Sequence, residues 1–254
     1  MVYSEAGGAT KTTTAASLAM CAAASGSRTV LVDLDPRAIT TEWLGVEAHQ
    51  PGWHSGAVLK ADDAAEWIDQ VIVMSRWSEL VGVIPARRSL ANREAEAQDG
   101  TAAADLRLRR ALAGLDAELV VLDSANRPGG AITKNALNAA TRMVYASTPT
   151  PDGVGGVRDA RDTVRRFVAA RTEIGAPAGL VEAGIIVGAY PPVVPRVHRA
   201  GLEQLDGTGL LLSPQVPHRI IVQECRATQT WYGDYEKGAP VVEAYTQLLP
   251  QVLA

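Results

Sequence analysis

The chain has 254 residues, of which 47% are hydrophobic and 20% charged, so it can bury a core of the size found in one α/β domain. Its formal net charge of −4 argues against a protein coated in basic surface, and any contact with nucleic acid needs a local cluster of arginines. Cys21 and Cys225 lie far apart in the sequence. This arrangement favours a reduced, cytoplasmic compartment over a disulfide framework.

Short apolar runs that end at turn or acidic residues alternate with longer helix-like stretches, which is typical of βαβ units around a parallel sheet. The run LVVLD is apolar on both faces, as expected of a strand covered by helices on two sides. The sequence therefore predicts an α/β fold, a doubly wound and mostly parallel sheet with helices on both faces. The predicted strands are Met1–Ser4, Val30–Asp33, Leu80–Ile84, Leu119–Asp123, Met143–Ser147, Gly184–Val187 and Leu210–Leu212.

Apolar spacing, with Gly or Pro at the segment ends, predicts helices between these strands. The polar, alanine-rich stretch Ser89–Thr101 fits an exposed connection and a solvated helix equally well. Residues 1–254 show no convincing domain boundary, and a first strand at Met1–Ser4 leaves no room for an N-terminal DNA-binding extension, so we expect a single domain. The predicted helices are Thr12–Ser25, Ala61–Gln70, Ala103–Ala113, Val157–Arg171, Arg196–Leu205 and Val241–Val252.

A glycine-rich segment, SEAGGATKTTT, follows the first predicted strand and opens an alanine-rich helix. Glycines let backbone N–H groups approach phosphate oxygens, and the start of a helix adds positive potential. A lysine here neutralises phosphate charge, and a threonine hydroxyl can ligate Mg²⁺. The candidate phosphate-binding residues are Gly7, Gly8, Ala9, Thr10, Lys11, Thr12 and Thr13.

Two other interpretations of this loop stay open. One is a strand-to-helix turn without a ligand, and the other is a dinucleotide site, because Asp33 or Asp35 follows the second predicted strand where a ribose-binding acid would sit. However, the G-x-G-x-x-G pattern is absent, and a nicotinamide site has no use for Lys11 followed by Thr12. The pattern favours a nucleoside phosphate.

The loop resembles the deviant Walker A motif of the ParA and MinD ATPases, K-G-G-x-G-K-[ST]-[ST], and so implies a P-loop NTPase. Ala6 stands where that family has its signature lysine, which reaches the partner's phosphates in nucleotide-bound dimers. Thr10 stands where the family has glycine, and a β-branched residue is strained there if the backbone φ is positive. The matching residues are Gly7, Gly8, Lys11, Thr12 and Thr13.

Two acidic segments at predicted strand ends extend the resemblance. The segment DLDPR (33–37) looks like the family's D-x-D-P-Q, with Arg37 in place of glutamine, and DSANRPG (123–129) is similar to its switch II segment. The resemblance implies that Asp35 is the switch I acid associated with Mg²⁺ and the attacking water, and that Asp123 supports Mg²⁺. An Asp-Pro pair that merely ends a strand is the alternative interpretation.

The segment QVPHRIIVQEC (215–225) resembles the family's I-P-R-x-x-x-x-x-E-A, whose proline loop lines the adenine, and this implies such a role for Pro217. The resemblance spans nearly the whole chain. It implies a Mg²⁺-dependent partition protein that binds ATP or ADP, hydrolyses ATP and acts as a nucleotide-dependent homodimer on non-specific DNA with a ParB-like partner. The alternative is a degenerate binding module with weak or absent hydrolysis, because Ala6 and Thr10 break the motif.

Arginines could supply the DNA contact. Arg196 and Arg199 open a predicted helix in the region where relatives carry DNA-binding basic residues, although a solvated helix face fits as well. Arg37 and Arg127 are the nearest candidates by position to replace the missing lysine. The C-terminal segment LLPQVLA contains a proline and no basic residue, unlike the membrane helix of MinD. We therefore expect a cytoplasmic, nucleoid-associated protein without a membrane partner.

Overall fold

The structure is a computed structural model that describes residues 1–96, 103–176 and 179–254. Within them the centre is a sheet in the order β3-β4-β2-β5-β1-β6-β7. Its pairs are parallel except β3 with β4, which is antiparallel. The strands are β1 (Val2–Tyr3), β2 (Thr29–Leu34), β3 (Val73–Met74), β4 (Val81–Ile84), β5 (Leu119–Ser124), β6 (Arg142–Ser147) and β7 (Val181–Val187).

Helices cover both faces of this sheet. Leu31 packs in one buried cluster with residues of the first and last helices, whereas its neighbours Val30 and Val32 pack in a second cluster on the other face. This alternation confirms the predicted doubly wound α/β fold. The helices of the described part are α1 (Lys11–Ala24), α2 (Ile39–Trp43), α3 (Ser55–Val58), α4 (Ile68–Val71), α5 (Asn92–Glu96), α6 (Arg107–Leu112), α7 (Ala131–Ala139), α8 (Pro151–Glu173), α9 (Arg196–Asp206), α10 (Ile220–Thr228) and α11 (Ala239–Leu253).

None of the helices in the described ranges has the length and apolarity needed to span a bilayer. The longest, α8, carries charged residues along its whole length.

Several predicted elements differ from the observed ones. The predicted strand Leu210–Leu212 was wrong, because it makes only an isolated bridge between Leu211 and Ile185 beyond the sheet edge. The predicted helix Ala61–Gln70 divides into a 3-10 turn at Ala64–Glu66 and the short α4. In Ser89–Thr101 the chain forms a 3-10 turn that runs into α5, and the remainder lies outside the described residues.

A bulge interrupts the pairing of β6 with β7. Met143 pairs with Glu182 and Val144 with Gly184, so Ala183 is the extra residue. Gly184 adopts φ 150°, and a Cβ added there would lie 2.5 Å from Leu212 Cγ. Both the backbone angle and the close approach therefore require glycine at this position.

Replacing this glycine tests the bulge. We expect Gly184→Ala to lower the free energy of unfolding by about 2 kcal/mol, through overpacking and backbone strain. The matched control is Gly155→Ala in α8, where an added Cβ meets no atom within 4 Å. It should raise the free energy of unfolding by about 0.5 kcal/mol, because alanine favours the helix. Urea denaturation measures the free energy of unfolding of both variants, and equal changes would contradict the requirement for glycine at position 184.

Candidate nucleotide-binding site

The register of the sheet brings the candidate acids together. Strands β2 and β5 are neighbours, and Asp33 lies directly opposite Asp123. On its other side, β5 pairs with β1 through Asp123 and Val2. Because the loop after β1 leads into α1, the glycine-rich segment and both acidic segments meet at one edge of the sheet.

Lys11 begins α1 and folds back over the loop. Its Nζ donates a hydrogen bond to the carbonyl oxygen of Ala6 at 3.0 Å, and the side chain is buried. Burial lowers the pKa of the Lys11 ammonium below its ordinary value, although the nearby carboxylates of Asp123 and Asp35 oppose this effect. The hydrogen bond to Ala6 thus places the Lys11 amino group at the loop, where it could contact a bound anion.

Asp123 is held by two threonine hydroxyls. The Oγ1 atoms of Thr12 and Thr40 both donate to its Oδ2, at 2.9 Å and 2.5 Å. Its Oδ1 is buried and has no hydrogen-bond partner among the described residues. Burial raises the pKa of Asp123 to about 6. A buried, unpartnered carboxylate oxygen beside a threonine hydroxyl fits a hard divalent cation such as Mg²⁺.

Asp33 is completely buried and braces the site. Its Oδ1 accepts the backbone N–H of Asp35 at 3.0 Å, and its Oδ2 accepts the backbone N–H and the hydroxyl of Thr41, at 2.9 Å and 2.7 Å. The Thr41 hydroxyl oxygen also accepts the N–H of Ala86 at 2.8 Å. Burial, and then the charge of Asp123, raise the pKa of Asp33 to about 7. Asp33 thus ties α2 and the segment after β4 to β2.

Asp35 is buried and engaged by Arg37. Its Oδ1 accepts the backbone N–H of Arg37 at 2.9 Å, and its Oδ2 accepts Nη2 of the same guanidinium at 2.7 Å. Burial alone would raise the pKa of Asp35, but the hydrogen bonds and charge of Arg37 leave this pKa below its ordinary value. The candidate switch acid therefore lies near Asp123, and its carboxylate is bound by Arg37 in this structure.

A cavity of about 370 Å³ lies between residues 8–13 of the loop, Arg37 and residues of the C-terminal third of the chain. Pro217 lines it together with the loop, so the structure brings this predicted residue to the candidate site. Sequence reasoning missed Thr40, whose hydroxyl has no motif to mark it, and Trp43, whose buried indole N–H finds no acceptor among the described residues. Further lining residues that it missed are Ile39, Arg219, Val222, Arg226 and Tyr245.

The two departures from the loop motif each face a glycine. Thr10 adopts φ 63° and ψ 16°, the left-handed conformation, and its buried hydroxyl has no partner within the described ranges. Its side chain packs where a Cβ on Gly188 would lie 2.5 Å from Thr10 Oγ1. Ala6 packs in the same way on α8, where a Cβ added to Gly156 would lie 2.4 Å from the Cβ of Ala6. Both neighbours therefore leave room for the unusual loop residues.

The candidate DNA-binding arginines lie apart from this cavity. Arg196 and Arg199 are exposed in the first turn of α9. Arg127, one candidate to replace the missing lysine, is exposed, whereas Arg37, the other, lines the cavity.

A phosphate-type loop between a central parallel strand and a helix, with acids at neighbouring strand ends, defines a P-loop NTPase. The AAA domain family model matches residues 1–174. The chain belongs to this family and is a ParA/Soj-type member of the MinD/ParA partition ATPases, which confirms the resemblance seen in the loop and acidic motifs.

Two curated relatives support this assignment. The chain is 32% identical over 166 residues to the sporulation initiation inhibitor protein Soj of Bacillus subtilis, covering 65% of this chain and 63% of that protein. It is 27% identical over 253 residues to the chromosome-partitioning ATPase Soj of Thermus thermophilus, covering 98% of this chain and 92% of that one.

Solved structures share the fold. Apo McdA of Cyanothece has a TM-score of 0.82 at 17% identity, over 100% of this chain and 98% of that one. Cobyrinic acid a,c-diamide synthase of Mycobacterium smegmatis, solved with an ATP analogue and magnesium, has a TM-score of 0.74 at 25% identity, over 99% and 92%.

Relief of the strain at Thr10 is measurable. We expect Thr10→Gly to raise the free energy of unfolding by about 1 kcal/mol, because glycine adopts the left-handed conformation without a Cβ clash and the unpartnered hydroxyl is removed. The control is Thr13→Gly in the first turn of α1, which should lower the free energy by about 0.5 kcal/mol. Denaturant unfolding of both variants checks this, and a loss of stability in Thr10→Gly would show that no strain is stored there.

Proposed function

We propose that this protein is a Mg²⁺-dependent ATPase acting in DNA partition. The observation that carries the proposal is Asp123, which shares one carboxylate oxygen between the hydroxyls of Thr12 and Thr40 and keeps the other buried and unpartnered within the described structure. Thr12 would ligate Mg²⁺ directly, and Asp123 would support the ion through water. The bound ion would neutralise charge on the phosphates.

The loop would hold the nucleotide. Backbone N–H groups of residues 7–13 surround the phosphates in this proposal, and Lys11 neutralises their charge. Pro217, which lines the same cavity as the loop, would contact the base. Asp35 orients the attacking water once its carboxylate is free. The ATP analogue and magnesium in the related Mycobacterium smegmatis structure support the choice of ligand.

A second candidate function is a degenerate binding module with weak or absent hydrolysis. It is favoured by the strained Thr10, by Ala6 in place of the signature lysine, and by the occupation of Asp35 by Arg37. Such a protein would keep the fold and bind nucleotide, DNA or a partner without appreciable turnover. The turnover of the native chain separates the two functions.

Partition also requires DNA and protein contacts. We propose that residues 1–254 act as one domain, that two copies associate when nucleotide is bound, and that a ParB-like protein stimulates them in the cytoplasm on the nucleoid. Arg196 and Arg199 would bind DNA phosphates without reading sequence. Their exposure at the start of α9 and the partition proteins among the relatives support this proposal.

Lys11→Ala tests the phosphate site. We expect it to weaken binding of a fluorescent ATP analogue with Mg²⁺ by at least about tenfold, because a charged hydrogen bond to phosphate is lost. Fluorescence titration measures this, and Lys60→Ala, at an exposed lysine away from the cavity, is the matched control.

Equal affinity in native protein and Lys11→Ala would refute the site. Native binding without measurable phosphate release, even with partner and DNA, would support the degenerate module instead.

The proposed DNA contact predicts a salt dependence. In the double variant Arg196→Ala, Arg199→Ala, we expect the slope of log K against log salt to fall by about one for each lost phosphate contact. Fluorescence anisotropy with unrelated duplexes at several salt concentrations measures the slope. Arg158→Ala, at an exposed arginine of α8 paired with Asp159, is the control, and an unchanged slope in the double variant would refute the DNA assignment.

A further inference from the structure

Arg37 connects the cavity wall to the candidate switch acid. It lines the same cavity as residues 8–13 of the loop, and its guanidinium grips both oxygens of Asp35, with Nε 3.2 Å from Oδ1 and Nη2 2.7 Å from Oδ2. A planar guanidinium binds carboxylate and phosphate with the same two-pronged geometry. An anion in the cavity therefore competes with Asp35 for this side chain.

The geometry also allows the exchange. The Arg37 side chain is 62% exposed, whereas that of Asp35 is 8% exposed, so the arginine can move while the carboxylate stays. The backbone N–H of Arg37 separately donates to Asp35 Oδ1 at 2.9 Å, and Asp33 holds the backbone N–H of Asp35. Departure of the guanidinium would thus leave Asp35 in position with Oδ2 open.

We propose that Arg37 is a phosphate-sensitive latch that covers Asp35 until a nucleoside triphosphate draws its guanidinium onto the terminal phosphate, and that it thereby makes the site prefer triphosphate to diphosphate. This inference rests on the proposed function, in which Asp35 faces the terminal phosphate. A diphosphate occupies the loop amides but leaves Arg37 on Asp35. The third phosphate supplies the charge that competes for the guanidinium.

The ratio of two affinities tests the latch. Isothermal titration with Mg²⁺ and either ADP or a non-hydrolysable ATP analogue gives this ratio for native protein, Arg37→Gln and Arg37→Lys. We expect Arg37→Gln to reduce the preference for the triphosphate by about tenfold, the effect of one charged hydrogen-bonded contact, with a small change in ADP affinity. Arg37→Lys keeps the positive charge but not the planar guanidinium, so its preference for the triphosphate should lie between those of the native protein and Arg37→Gln.

Arg226→Gln is the matched control, because Arg226 is an exposed arginine that lines the same cavity. An equal loss of triphosphate preference in Arg226→Gln would show that the overall positive charge of the cavity sets this preference, and would overturn the latch. An unchanged ratio in Arg37→Gln would also overturn it while leaving the proposed function intact. If the native chain binds neither nucleotide, the proposed function fails and the latch fails with it.

A second readout follows the side chain itself. The Nε–H resonance of Arg37, assigned by its absence in Arg37→Gln, should shift strongly with the triphosphate analogue and little with ADP. In Asp35→Asn the nucleotide-free resonance should already differ from that of the native chain, since the ion pair is absent. Identical responses to both nucleotides would contradict the latch.

Discussion

The candidate site depends on one constraint, the burial of two carboxylates opposite each other across β2 and β5. Asp33 and Asp123 are 0% and 1% exposed, and burial of neighbouring charges is costly unless each is satisfied. Asp33 meets this cost with three hydrogen bonds, two from Thr41 and one from the backbone of Asp35. Asp123 meets it only in part, because its Oδ1 has no hydrogen-bond partner among the described residues, and this oxygen is the feature that points to a cation. The buried carboxylate of Asp33 is thus stabilised by hydrogen bonds within the protein, whereas that of Asp123 leaves one oxygen for a cation.

The loop shows how a motif can change while its geometry persists. Thr10 keeps the left-handed conformation that glycine would adopt freely, and Gly188 leaves space for the added side chain. Ala6 fits against Gly156 in the same way. The surroundings of the phosphate loop thus accommodate both replacements, and the hydrogen bond from Lys11 Nζ to the Ala6 carbonyl oxygen holds the loop from within. Relative to the family motif, Ala6 removes the positive charge of the signature lysine, but the loop conformation remains.

Sequence patterns predicted the parts of the fold that depend on long apolar runs, such as β2, β5 and α1. They failed for Leu210–Leu212, which makes one isolated bridge to Ile185 instead of a full strand. They also failed for β3, whose two residues are too few to produce a pattern. The motifs pointed to Asp35 and Asp123 because the strands before them are parallel and end at one edge of the sheet, but they assigned no role to Asp33. No motif could reveal Thr40, since only the fold brings its hydroxyl to Asp123.

The same limit explains Arg37. In the sequence it is a substitution within the D-x-D-P-Q pattern and, like Arg127, a candidate by position to replace the missing lysine, but the pattern does not reveal its contact with Asp35. In the structure the Arg37 guanidinium contacts both carboxylate oxygens of the buried Asp35. Arg37 also lines the cavity, as Lys11 does. Because the loop lacks the signature lysine, fewer cations can balance the charge of a bound triphosphate. Arg37, once released from Asp35, would supply one more. Releasing it serves two purposes in one movement, because the phosphate gains a partner and Asp35 regains a free oxygen.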